Sequence, residues 1–169
     1  FIAAQFSSSL VSSSAILVLL TLALIWVYAT IRFKWDFALG AVLAIIHDAL
    51  IMVTFIAWTQ MEFDSLTVAA ILTIIGYSIN DTVVVLDRVR ENTRLMKTKN
   101  FMEIINQSQT DCFGRTVITT VTTLLAVTAL CIFTSGSIHD FALALIIGIV
   151  SSAYSTIMIT SAFLSKTRK

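Results

Sequence analysis

Five apolar stretches of about twenty residues, joined by polar linkers that are short with one exception, constrain this chain more than any other feature. They run from about Leu10 to Ile31, Phe37 to Trp58, Leu66 to Leu86, Thr116 to Phe133 and Phe141 to Leu164. About 20 consecutive apolar residues carry a helix across the roughly 30 Å hydrocarbon core of a bilayer. Composition agrees: 57% of the chain is hydrophobic and only 12% charged, too little polar surface to coat a soluble globule. The expected fold class is an all-α polytopic membrane protein, with residues 1–169 forming one transmembrane domain of five helices. The chain contains no proline, so no helix is proline-kinked.

The charges orient the spans. Arg32 and Lys34 follow the first span, Arg88, Arg90, Arg94, Lys97, Lys99 and Arg115 separate the third from the fourth, and Lys166, Arg168 and Lys169 end the chain. In an alternating topology all of them fall on one side, and basic loops mark the cytoplasm. Glu62, Asp64, His139 and Asp140 fall on the other side. Trp26, Tyr28 and Trp35 near the inner interface and Trp58 at the outer one suit amphipathic rings. The chain starts at Phe1 with no signal-peptide pattern, on the outer side. A first span and a periplasmic domain are therefore expected upstream in a longer parent protein.

The long linker, about 87–115, reads as a cytoplasmic loop. Asn100 and Glu103 resemble a capping box ahead of Phe101, Ile104 and Ile105, which suggests a short amphipathic helix on the membrane interface; the alternative is a solvated loop with one helical turn. Alternating charges predict the pairs Arg88–Glu91 and Asp87–Arg90. Cys112 and Cys131 lie nineteen positions apart. On one helix that is about 28 Å, far beyond the roughly 7 Å a disulfide allows, so both read as apolar fillers. In the fifth span Ala144, Gly148, Ser152, Thr156 and Thr160 recur every four positions, a small-residue ladder that lets another helix approach; Gly40 and Ala44 form a weaker one in the second span.

Polar residues inside spans are where chemistry is expected, because an Asp at a helix centre costs about 2.5–3.5 kcal/mol on insertion scales. The second span holds His47-Asp48. This pair suits titration near neutral pH, or else simply hydrogen-bonds to neighbouring helices. The third span holds Gly76-Tyr77-Ser78-Ile79-Asn80-Asp81-Thr82, the most polar run inside any span. Tyr77, Ser78 and Asp81 share a face by three- and four-residue spacing. Burial penalises a charged carboxylate and a nearby cation favours it. Asp81, balanced between the two, would load and release a proton; the alternative is a permanently paired structural ion. Arg115, at similar depth, is the candidate cation, and Thr116, Thr119, Thr120 and Thr123 form a polar stripe beyond it. Those hydroxyls line a water path, bond across helices or bond back to their own helix. Metal-ligand spacing, a Ser/His/Asp set, a phosphate loop and a nucleic-acid signature are all missing from the sequence. Neither an enzyme nor a cofactor, metal or nucleic-acid partner is expected.

The run Ile75–Asn92, IGYSINDTVVVLDRVREN, resembles the signature of the SecF branch of the bacterial SecD/SecF protein-export family. Ala44-Ile45-Ile46-His47-Asp48 is similar to that family's second-span motif, and Phe113-Gly114-Arg115-Thr116 to its Arg-Thr start of the following span. The five-span spacing matches the family's last five helices. The resemblance implies a subunit of the Sec machinery in the bacterial inner membrane, within the RND superfamily. Such a subunit couples the proton-motive force to preprotein translocation. It implies SecD and the SecYEG channel as partners, with YajC and YidC as further candidates, besides preproteins and membrane lipid. It places proton-pathway residues at Asp81 and Arg115; Tyr77, Ser78, Asn80, His47 and Asp48 are further candidates by their own positions in the spans. Two other functions fit less of the sequence: an RND-type half-transporter for small-molecule efflux, and a scaffold for partner subunits.

Overall fold

A computed structural model of the chain describes residues 2–33, 35–96 and 100–167. Phe1 lies outside them, as do Lys34, Lys97, Lys99, Arg168 and Lys169, which carry part of the charge argument. Five helices make up the structure: α1 (Ile2–Arg32), α2 (Trp35–Thr59), α3 (Ser65–Leu95), α4 (Phe101–Phe133) and α5 (Ser137–Thr167). Each is long and apolar enough to cross a membrane. Together they form an all-α, five-span membrane fold, as the sequence predicts.

Helix ends show where the chain turns. Asp64 caps α3: its Oδ1 accepts from the Thr67 backbone N–H at 2.8 Å, and the Thr67 hydroxyl closes the box on the Asp64 N–H. Gly136, between α4 and α5, has a φ of 66°, a left-handed conformation that a Cβ disfavours.

The expected loop over 87–115 is mostly helix. α3 continues through Leu95 and α4 begins at Phe101, leaving only 96–100 as the connection. The amphipathic segment is thus the first part of α4 rather than a separate interfacial helix. At 1.5 Å per residue, the 31 residues of α3 extend about 46 Å, well beyond the hydrocarbon core. The extra turns pack as an antiparallel hairpin, which buries Val89, Ile104 and Ile105 away from water. Asn100 does cap α4, but its exposed side chain makes no cap hydrogen bond, so the capping box does not form. Water can serve the N–H groups at an exposed helix end, which removes the need for it.

α5 is the centre of the bundle, packing against α2, α3 and α4, while α1 touches only α2 and α3. The small-residue ladder explains this. Ala144, Gly148, Ser152, Thr156 and Thr160 are all buried. A Cβ on Gly148 would sit 2.7 Å from Ile74 Cδ1, closer still to Ile74 Cγ1, and 2.8 Å from Met52 Sδ. On α2, Gly40 faces Phe163 and Thr160 of α5.

Two apolar clusters result. One gathers Ile45, Met52, Ile71, Ile74, Ile75 and Leu145. The other, toward the basic end, gathers Phe33, Phe37, Val85, Leu86, Val89 and Leu164. Between them, on α3 and α5, lies a layer of buried polar side chains.

Candidate functional site

The polar layer has two centres. The first is Asp48, midway along α2 and 0% exposed. Its carboxylate accepts from three serine hydroxyls: Ser78 of α3 at 2.7 Å, and Ser151 and Ser155 of α5 at 2.9 and 2.7 Å. His47 Nδ1 lies 3.3 Å from Asp48 Oδ1, with the ring one-third exposed and 6.4 Å from the Tyr154 ring. Successive helical residues point about 100° apart, so the core-facing Asp48 leaves His47 partly outside. An ionised carboxylate is an acceptor only and can take all three bonds. The cage ties α2, α3 and α5 together at one point.

The second centre is Asp81, 6% exposed. Thr116 of α4, itself buried, donates to Asp81 Oδ1 at 3.2 Å. The other oxygen, Oδ2, is buried and has no partner among the described residues. Beside this centre the Thr82 and Thr156 hydroxyls lie 3.2 Å apart.

The expected companions of Asp81 therefore divide. Ser78 and Thr82, four residues apart, reach Asp48 of α2 and Thr156 of α5. Asp81, three residues after Ser78, is offset from it by about 60° and falls on the α4 side. Ser78 donates to Asp48, and no hydrogen bond joins it to Asp81 among the described residues. The Tyr77 phenol is buried without a partner among the described residues, and Asn80 is exposed. Arg115 is exposed and makes no ion pair among the described residues; Thr116, its neighbour in sequence, reaches the carboxylate instead. Helical geometry again decides, since a helix turning Thr116 toward α3 turns Arg115 about 100° away. Arg115 lines a polar cavity of about 520 Å³ with Asp87, Arg88, Glu91 and Asp111. Thr116 borders a second cavity, of about 430 Å³, between α4 and α5.

Of the threonine stripe, Thr119 and Thr123 bond back to their own helix, while Thr116 reaches Asp81. Thr119, Thr122 and Thr123 donate to carbonyls three or four residues earlier, and the Thr120 hydroxyl is buried without a partner among the described residues. At the basic end Arg88 pairs with Glu91 at 2.8 Å as expected, and also with Asp111 at 2.8 Å. Asp87 does not pair with Arg90. It pairs with Arg32 at 2.6 Å, because the two helix ends meet there, and Arg90 donates to the Arg32 carbonyl. Both cysteines are free; Cys131 lies beside His139, whose Nδ1 is 2.9 Å from the Cys131 carbonyl oxygen.

Ser151 and Ser155 are the site residues the sequence did not single out. They lie beside the small-residue ladder, and their four-residue spacing on one helix face is a signal available in the sequence. Only the fold shows that this face meets a carboxylate.

The family described as protein export membrane protein SecD/SecF, C-terminal, matches residues 1–169. A Treponema pallidum protein named Protein translocase subunit SecF is 54% identical over 159 residues, which is 94% of this chain and 38% of that protein. A Borreliella burgdorferi protein of the same name is 42% identical over 97% of this chain and 55% of its own length. The chain thus spans roughly two-fifths to just over half of these relatives. Among solved structures, SecDF from Thermus thermophilus, titled a translocon-associated membrane protein, superposes with a TM-score of 0.89 at 40% identity. That match covers 92% of this chain and 22% of that one. SecDF in a super-membrane-facing form gives 0.82 at 42% identity, over 87% and 20%.

Proposed function

The chain belongs to the SecD/SecF C-terminal family of protein-export membrane proteins, and from that premise we propose that it is the transmembrane domain, residues 1–169, of a SecF-type translocase subunit. In this reading it lies in the bacterial cytoplasmic membrane with its basic ends on the cytoplasmic side. It works with SecD and the SecYEG channel, and couples the proton-motive force to the outward movement of preproteins. The proposal rests on Asp81: a carboxylate buried mid-span, with one oxygen held by Thr116 and the other unpartnered among the described residues. An acceptor left open at that depth suits a group that takes up and gives off a proton, since an intramembrane carboxylate is a functional hypothesis by default.

The proposal gives each residue one task. Asp81 carries the proton and Thr116 orients it. Arg115, exposed on α4 but within electrostatic reach of Asp81, is the counter-charge that a partner subunit or water brings against the carboxylate. Tyr77 and Asn80 flank Asp81 and are the next hydroxyl and amide along its helix. Asp48 and His47 form the second polar centre, tied to α3 through Ser78, so that a shift of α3 at Asp81 is felt there. The two cavities bordering Thr116 and Arg115 give water access from the basic end.

The test is Asp81→Asn in the full-length protein. Membrane insertion and fold are expected to be retained and the proton-dependent part of preprotein export lost, measured in inverted vesicles with and without an uncoupler. Normal uncoupler-sensitive export in the variant would sink the proposal. Drug sensitivity without an export defect would point to small-molecule efflux instead.

A further inference from the structure

Three arginines meet at the basic end of the bundle, away from both polar centres. Arg32 of α1 and Arg90 and Arg94 of α3 line a cavity of about 380 Å³ together with Ile31, Phe33 and Phe37. That volume lies within the range of small-molecule sites. Their charge is not balanced. Arg32 is paired with Asp87 and lies over the Phe33 ring, 5.3 Å from its centroid. Among the described residues Arg90 finds only the Arg32 carbonyl oxygen, and Arg94 has no hydrogen bond or ion pair. One described carboxylate thus serves three guanidinium groups, which leaves a concave site with surplus donors of the kind that grips phosphate.

The surroundings indicate what brings the phosphate. Trp26 and Trp35 pack edge to face, 5.6 Å apart, beside this corner, and both are exposed, as is Tyr28. Rings of this type mark the headgroup level of a bilayer. Ile31, which lines the cavity, is 83% exposed and continues a stripe with Leu24 and Val27 down the outer face of α1. Spacing of three and four residues keeps these on one side of the helix. The cavity is therefore polar and cationic at the top and opens onto an apolar track running into the hydrocarbon.

We propose that the cavity between the ends of α1, α2 and α3 binds an anionic phospholipid: its phosphate is held by Arg90 and Arg94, and an acyl chain lies along Leu24, Val27 and Ile31. Basic pockets between helices at the cytoplasmic end of spans recognise anionic headgroups in this way. The site shares no residue with the Asp81 or Asp48 centres.

The test uses the full-length protein, stripped of lipid in detergent and reloaded with phosphatidylglycerol or phosphatidylcholine, with bound lipid counted by native mass spectrometry. One phosphatidylglycerol is expected to be retained in preference to phosphatidylcholine. At about fivefold per arginine near a membrane surface, R90Q/R94Q weakens that retention about thirtyfold and leaves phosphatidylcholine unchanged. Equal retention of the two lipids, or undiminished phosphatidylglycerol on R90Q/R94Q, overturns the proposal. Displacement of the lipid by millimolar inorganic phosphate also overturns it, since the site would then serve a soluble anion. If circular dichroism shows R90Q/R94Q unfolded, R94Q alone, which breaks no described bond, carries the test with a fivefold effect expected.

Discussion

Replacing Asp48 by alanine removes the acceptor of three hydroxyls at once. Ser155 has a second acceptor, the Ser152 carbonyl oxygen at 3.1 Å. Ser78 and Ser151 have none among the described residues, so both would be left buried and unpaired. Hydrogen bonds between membrane helices average about 0.6 kcal/mol and reach about 1.7. Three such bonds give about 2 kcal/mol at the average and about 5 at the upper end. Asp48→Ala is therefore expected to destabilise the bundle by about 2–5 kcal/mol. Asp48→Asn keeps the volume and one acceptor oxygen, and rotated serine hydroxyls can accept from its amide, so about 1 kcal/mol is expected. Both are read as unfolding free energies of the full-length protein in mixed micelles titrated with dodecyl sulfate, followed by circular dichroism. Glu62→Ala, at an exposed position, is the control. The reasoning fails if Asp48→Ala falls within about 0.5 kcal/mol of that control, the size of an ordinary surface change. It fails equally if Asn costs as much as Ala, because acceptor geometry would then not be what holds the cage.

Gly148→Ala would push a methyl group into Ile74 and Met52 and is expected to cost about 1–3 kcal/mol in the same assay, whereas Gly114→Ala meets nothing within 4 Å and should cost nothing. Thr116→Val keeps the shape but removes the one described hydrogen bond to Asp81; it should lower stability by about 1 kcal/mol and reduce, without abolishing, uncoupler-sensitive export. Asp64→Ala removes the α3 cap for about 1 kcal/mol, visible as faster backbone hydrogen exchange in the first turn of α3. Arg88→Ala breaks two exposed pairs and is expected to lower stability only slightly, with the difference shrinking as salt is raised.

The five spans, the close approach of α5 and the buried polar run of the third span were legible in the sequence. Each depends on a property carried by single residues or fixed helical spacing: apolar length, a four-residue ladder of small side chains, a carboxylate where hydrocarbon should be. Which side chains meet across helices was not legible, because a helix displays several faces and sequence spacing does not say which neighbour each face will find. Ser78 looked like a companion of Asp81 and serves Asp48. Arg115 looked like its counter-ion, yet Thr116 turns toward the carboxylate while Arg115 turns out. Asp87 looked like a partner for Arg90 and is taken by Arg32, 55 positions away. The charges over 87–115 forbid a membrane span and so suggest a loop; charge forbids insertion, not helix, and α3 and α4 simply continue there. Apolar length along the chain is enough to fix the membrane fold and the cost of placing Asp81 within it. The packing of five helices is what leaves Asp81 with one oxygen unpartnered among the described residues while Asp48 has three serines around it.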